Sequence, residues 1–176
     1  MSFTAEELYE SLGNTPRFRG RIHWATRPVF AGLHGHLYLF RQRRAITDAQ
    51  LAATTHRSGD VEVCLMRMDG IPMIYVSHGG VAAATVFVPD RESGIERFEW
   101  VAHTHPLEMG TAQERIAQGA TAADRTALER IHERWGQTRS TIVVCRAGRV
   151  VRAVPFAIER DGRMPPGTGQ LWRPSD

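Results

Sequence analysis

Lysine is absent from this chain of 176 residues; all 22 basic side chains are arginine. The chain therefore offers no side-chain amine, either because a GC-rich genome favours arginine codons or for a functional reason. Cysteine is scarce as well. Cys64 and Cys145 both lie in apolar, strand-like runs, which points to two buried free thiols rather than a disulfide. The first residues, Met1 to Tyr9, have no basic segment leading into an apolar run, so no secretory signal is expected. No stretch approaches about eighteen consecutive apolar residues, which excludes a transmembrane helix. A net charge of +3, carried by scattered arginines, is too mild for a nucleic-acid footprint. Neither an internal repeat nor a low-complexity segment is present. These absences leave a cytoplasmic globular protein with no membrane and no nucleic acid among its expected partners.

With 42% apolar residues, the chain is long enough for one well-buried domain and short for two. Residues 4–13 read as a short helix, with Thr4 as cap and Glu7 three residues on. Residues 16–45 interleave Pro16 and Pro28 with strand-like runs, notably His36 to Arg41. Arg17, Arg19 and Arg21 alternate there, a basic face that either shields a sheet edge or docks an acidic partner. Thr47 to Gln50 opens a second helix. Strands are expected at Val61–Met68, Pro72–Val76 and Val81–Val88, the first two joined by the hairpin signal Asp69-Gly70. A further strand spans Arg97–Thr104. The polar insert Leu107–Ala120 holds a short helix at 111–118, a lid or a plain surface loop. From Ala122 to about Trp135 the residues Ala127, Leu128, Ile131 and Trp135 recur at helical spacing and form a core stripe. Thr141–Cys145 and Val150–Phe156 make a closing hairpin, and from Asp161 a Gly- and Pro-rich tail is expected to be extended or mobile. The reading divides the chain into an N-terminal extension packed on the domain (1–45), a central domain (46–160) and the tail (161–176). Strands and helices alternate without a regular βαβ repeat, which predicts an α/β fold with a mixed β-sheet flanked by helices.

One stretch carries chemistry. In Glu99-Trp100-Val101-Ala102-His103-Thr104-His105-Pro106 the two histidines are two apart, and on a strand they project to the same face roughly 7 Å from each other. Pro106 donates no N–H and should end the strand just past them. Downstream, Thr121 stands at an N-cap position, placing Asp124 in the first turn of the Ala122 helix. Two imidazoles and one carboxylate leave one tetrahedral position open, the ligand count of a catalytic rather than a structural zinc site. Glu99 shares a strand face with His103 but lies roughly 13 Å away, too far to serve the same metal easily.

His103-Thr104-His105-Pro106 followed by Thr121-Ala122-Ala123-Asp124 resembles the His-x-His-Pro … Ser-x-x-Asp pattern of the JAMM (JAB/MPN-type) zinc metalloproteases, and Glu62-Val63-Cys64 looks like that family's Glu-bearing strand. The resemblance covers roughly residues 47–154. It implies a cytidine-deaminase-like, MPN-type three-layer arrangement, Zn²⁺ held by His103, His105 and Asp124, Glu62 as general acid/base and Thr121 as oxyanion donor in place of Ser. It also implies a metallopeptidase that hydrolyses a peptide or isopeptide bond after the C-terminus of a ubiquitin-like protein, a partner beside which the lack of lysine acquires a use. Thr121 for Ser, Leu65 for Gly and the fourteen-residue insert depart from the pattern. They leave room for a metal-free MPN-like scaffold or interaction module, and the Arg-rich N-terminal region and compact length permit a third reading, a toxin-type protease effector domain. His23, His34, His36, His56, His78 and His132 have no such company; His34-Gly35-His36 repeats the spacing with no downstream carboxylate.

Overall fold

In a computed structural model of the chain, residues 30–31, 35–39, 46–77, 88–89, 94–107 and 119–158 are described. Thr47 caps helix α1 (Asp48–Arg57): its hydroxyl accepts from the Gln50 N–H, and the Gln50 side chain accepts from the Thr47 N–H, a reciprocal box that satisfies two otherwise orphaned donors. Thr121 does the same for α2 (Ala122–Trp135) with Asp124 as its partner. Gly136 closes α2 in the left-handed region (φ 73°), its N–H donating to His132 O at 2.8 Å, the residue type that pays no steric cost there. The strands are β1 (Phe30–Ala31), β2 (Gly35–Leu39), β3 (Val63–Met68), β4 (Ile71–Ser77), β5 (Phe98–Pro106), β6 (Arg139–Arg146) and β7 (Arg149–Ala157). At the β3–β4 turn both Asp69 (φ 50°) and Gly70 (φ 80°) have positive φ, as the primed hairpin turn requires.

Among the described residues, seven strands form one sheet in the order β1-β2-β4-β3-β5-β6-β7. Of these strand pairs β5 and β6 are parallel, joined across α2, and the others are antiparallel. The sheet is therefore mixed and flanked by helices, as the sequence suggests. β1 and β2, which fall within the expected N-terminal extension, continue this same sheet beyond β4.

Alternate residues of β3 sort the two cores. Cys64, Met66 and Met68 pack with Trp100, Ile142, Phe156 and the α2 residues Leu128 and Ile131. Val63 and Leu65 pack with Ala102, Val143 and Leu51 of α1. Because strand side chains alternate between faces, α1 and α2 cover opposite sides of the sheet. Both cysteines are buried thiols outside any disulfide, as expected. β7 ends the sheet among the described residues, and it is blunted by Pro155, by Arg149 and Arg152, and by an extra residue at Val151, where the register shifts against β6; each feature discourages strand addition.

A second irregularity matters more. Leu65 pairs with Ala102, but Met66 pairs with Trp100, so Val101 is an extra residue in β5, a β-bulge. Phe98 and Trp100 lie on the α2 face and Ala102 on the α1 face. After the bulge, His103 returns to the α2 face, its ring stacked on Trp100 with centroids 4.7 Å apart. The expectation that Glu99 shares a face with His103 is overturned: Glu99 sits across the bulge, pointing with Arg67 to the other side and paired to it at 3.1 Å. The helix expected at 4–13, Arg17, Arg19 and Arg21, all but the last residue of the strand expected at Val81–Val88, the insert helix at 111–118 and the tail from 161 lie outside the described residues.

Candidate metal centre

β5 delivers two imidazoles to one point. His103 (0% exposed) and His105 (2%) are buried, with Nε2 atoms 3.0 Å apart. The His103 ring is held by packing, between the face of Trp100 and the edge of Phe156 at 6.0 Å. Its Nδ1 is buried without a hydrogen bond.

Asp124 reaches the same point from α2. The capping box that starts this helix also aims the carboxylate: Oδ2 accepts from the Thr121 N–H at 2.7 Å and from the Thr121 hydroxyl at 2.8 Å. That leaves Oδ1 directed at the histidines, 3.0 Å from His103 Nε2, yet buried and without a hydrogen bond. Oδ2 is 3.5 Å from His105 Nε2. Two ring nitrogens and a carboxylate oxygen thus converge on one point, 3.0 Å between the nitrogens and 3.0 Å from His103 Nε2 to Asp124 Oδ1. Ligands at about 2.0–2.2 Å from a tetrahedral zinc sit roughly 3.3–3.5 Å from each other, and the observed separations bracket that value. Among the described residues, His103, His105 and Asp124 form the group whose ligand atoms all lie within 4.8 Å, a set able to hold a metal ion.

The electrostatics agree with that use. Burial alone would raise the Asp124 pKa, but the imidazoles of His103 and His105 outweigh it and hold the carboxylate far below its ordinary range. Burial lowers the His103 pKa against the pull of Asp124. The group is thereby poised with an ionised carboxylate and a neutral His103, the protonation states in which they coordinate metal.

Glu62 closes the site from the start of β3. Its Oε1 is 3.9 Å from His105 Nε2, while Oε2 is buried with no hydrogen bond. The side chain keeps 27% exposure. Burial pushes its pKa up to about 7, with His105 pulling down and Asp124 adding to the rise. Thr121 stands beside Asp124, and its hydroxyl proton is engaged by Oδ2. All five residues singled out from the sequence therefore meet at one end of the sheet. The resemblance-based role of Thr121 as oxyanion donor meets a competing acceptor there.

Thr104 escaped the sequence reading. Lying between the two histidines, it faces α1, where its hydroxyl shares a 2.6 Å hydrogen bond with Thr55 and accepts from the Val63 N–H at 3.0 Å. This ties the strand start that bears Glu62 to the strand that bears the histidines. The signal was present in strand alternation, but nothing in the residues marked a buried threonine as a link. A separate cleft of about 530 Å³, lined by Arg67, Asp69, Arg97 and Glu99 among others, opens at the opposite end of β5 from the imidazoles.

No family model, curated protein or solved structure matches this chain. No helix among the described residues is long and apolar enough to cross a membrane.

Proposed function

We propose that the protein is a zinc-dependent metallopeptidase of the JAMM type, acting on a peptide or isopeptide bond that follows the C-terminus of a ubiquitin-like protein. The observation that carries this reading is the convergence of His103 Nε2, His105 Nε2 and the unbonded Asp124 Oδ1, with the unbonded Glu62 Oε2 beside them. A sheet with helices on opposite faces supports the MPN-type layering that the motif implies. Zinc, when bound there, supplies Lewis-acid activation of a water and of an amide carbonyl.

The chain's own residues do the rest. His103, His105 and Asp124 hold the metal, and the Thr121 cap keeps Asp124 turned toward it. Glu62 is suited to proton transfer because its pKa near 7 matches the pH at which it would take a proton from water and return it to a leaving amine. Its partial exposure sets it between the buried ligands and solvent. Thr121 can donate to an oxyanion only by turning its hydroxyl away from Asp124.

The test is cleavage of a ubiquitin-like protein fused through its C-terminus to a reporter peptide. The zinc-loaded parent is expected to cleave it. Glu62→Gln is expected to keep its zinc and lose at least about a hundredfold in rate, the lower range for a general acid/base. Full activity in Glu62→Gln would remove Glu62 from the mechanism. A zinc-loaded parent that binds such proteins without cleaving them would favour the scaffold reading.

A further inference from the structure

The histidines reach Asp124 only because of the bulge at Val101. In an uninterrupted strand His103 and His105 would share a face with Glu99, and Ala102 and Thr104 with Trp100. One extra residue reverses this, since a one-residue slip moves every later side chain to the other side of the sheet. The bulge lies between β3 and β5; it keeps its place only if the backbone of Trp100, the residue before it, is also fixed on the β6 side.

Trp100, immediately before the bulge, falls short of the β5–β6 ladder, whose pairs run from Ala102 with Thr141 to Pro106 with Cys145. Its partner is a side chain. Gln137 Oε1 accepts from the Trp100 N–H at 2.8 Å, and Gln137 Nε2 donates to the Trp100 carbonyl at 2.7 Å. The same Nε2 donates to Arg139 O, and the Ser140 hydroxyl adds a second donor to the Trp100 carbonyl at 2.9 Å. The glutamine amide presents one N–H and its carbonyl oxygen to Trp100 and its other N–H to Arg139 O, and thus takes the place of a strand residue opposite Trp100. Gln137 directly follows the Gly136 cap of α2, the helix whose first turn carries Asp124. Trp100 in turn stacks on His103.

We propose that Gln137 is a positioning residue of the metal centre: by clamping both backbone groups of Trp100 it holds the Val101 bulge that turns His103 and His105 toward Asp124. α2 then fixes the site at both ends, supplying a ligand from its first turn and locking the strand of the other two ligands from just beyond its last. The inference rests on the metal-centre reading above. It is independent of which bond, if any, the protein cleaves.

The test measures zinc and cobalt affinity of the full chain by competition with a chromophoric chelator, for the parent, Gln137→Met, Gln137→Glu and Leu51→Ala. Gln137→Met keeps the length of the side chain and removes both hydrogen bonds. It is expected to weaken metal binding about 10–100-fold, the usual effect of losing a group that orients ligands, and to alter the visible spectrum of bound cobalt. Gln137→Glu still accepts from the Trp100 N–H but cannot donate to the carbonyl, and it should fall between Gln137→Met and the parent. Leu51→Ala, a core change on the opposite face of the sheet, lowers stability without touching the clamp and should bind metal as the parent does. Parental affinity in both Gln137 variants overturns the proposal while leaving the metal centre intact; so does an equal loss in Leu51→Ala, which would make the effect one of stability alone. If Gln137→Met does not fold, Gln137→Glu decides by the same criterion. A parent that binds neither metal overturns the metal-centre reading, and this inference with it.

Discussion

A carboxylate with an unused oxygen in a buried place costs free energy unless something is meant to meet it. Asp124 Oδ1 and Glu62 Oε2 are two such atoms, and they differ in how the protein treats them. Asp124 is kept ionised by its imidazole neighbours; Glu62, with burial as the dominant influence, is not. For the metal-free protein this difference has a sign. A carboxyl whose folded pKa is raised binds its proton more tightly folded than unfolded, so its stabilising contribution is complete below the ordinary value of 4.5 and is lost as pH rises through about 7. A rise of that size corresponds to about 3 kcal/mol. Glu62→Gln removes this loss. Denaturant unfolding of chelator-treated protein is expected to give the variant a growing advantage over the parent between pH 5 and pH 8, up to about 3 kcal/mol. A constant difference across that range would contradict the buried, uncompensated state of Glu62.

Among the elements, α2 does most for the site, and its first turn does it through Thr121. Thr121→Ala removes the cap and one of the two donors to Asp124 Oδ2. The expected costs are about 1 kcal/mol of stability and a weakening of metal binding of about 10-fold or more. Thr121→Ser is expected to restore both, as read by unfolding and chelator competition. If Thr121→Ala instead lowered turnover with metal affinity unchanged, the hydroxyl would serve an oxyanion rather than the ligand. This element was readable in advance: its cap, its length and its core stripe of Leu128 and Ile131 follow from residue types at fixed spacing. The hairpin at Asp69-Gly70 was readable for the same reason, as was the pairing of His103 with His105, because local spacing decides which residues share a face. What was not readable was the bulge. An extra residue in a strand leaves no mark in alternation when both faces are apolar, as Trp100, Val101 and Ala102 are. The misplacement of Glu99 follows directly from that. Gln137 and Thr104 stayed hidden because each acts on backbone more than thirty residues away in sequence, which no local pattern records.

At the scale of the molecule, the candidate site joins three elements that are distant in the chain: the start of β3, the end of β5 and the first turn of α2. A metal held there binds the folded chain and not the unfolded one, so it should stabilise the whole fold by mass action, about 2.7 kcal/mol at a free concentration a hundred times the dissociation constant. For a chain of this length that corresponds to a rise of roughly 5–10 °C in melting temperature. Chelator treatment should reverse it, and added zinc should restore it. Asp124→Ala should melt at the same temperature with and without zinc.

The measurement that bears most directly on the central claim is the metal content of the purified chain by elemental analysis, alongside His103→Ala and Asp124→Ala. About one zinc per chain in the parent, lost in both variants, is the expected result. A parent without zinc after reconstitution, or variants that retain it in full, would contradict the assignment of His103, His105 and Asp124 as its ligands.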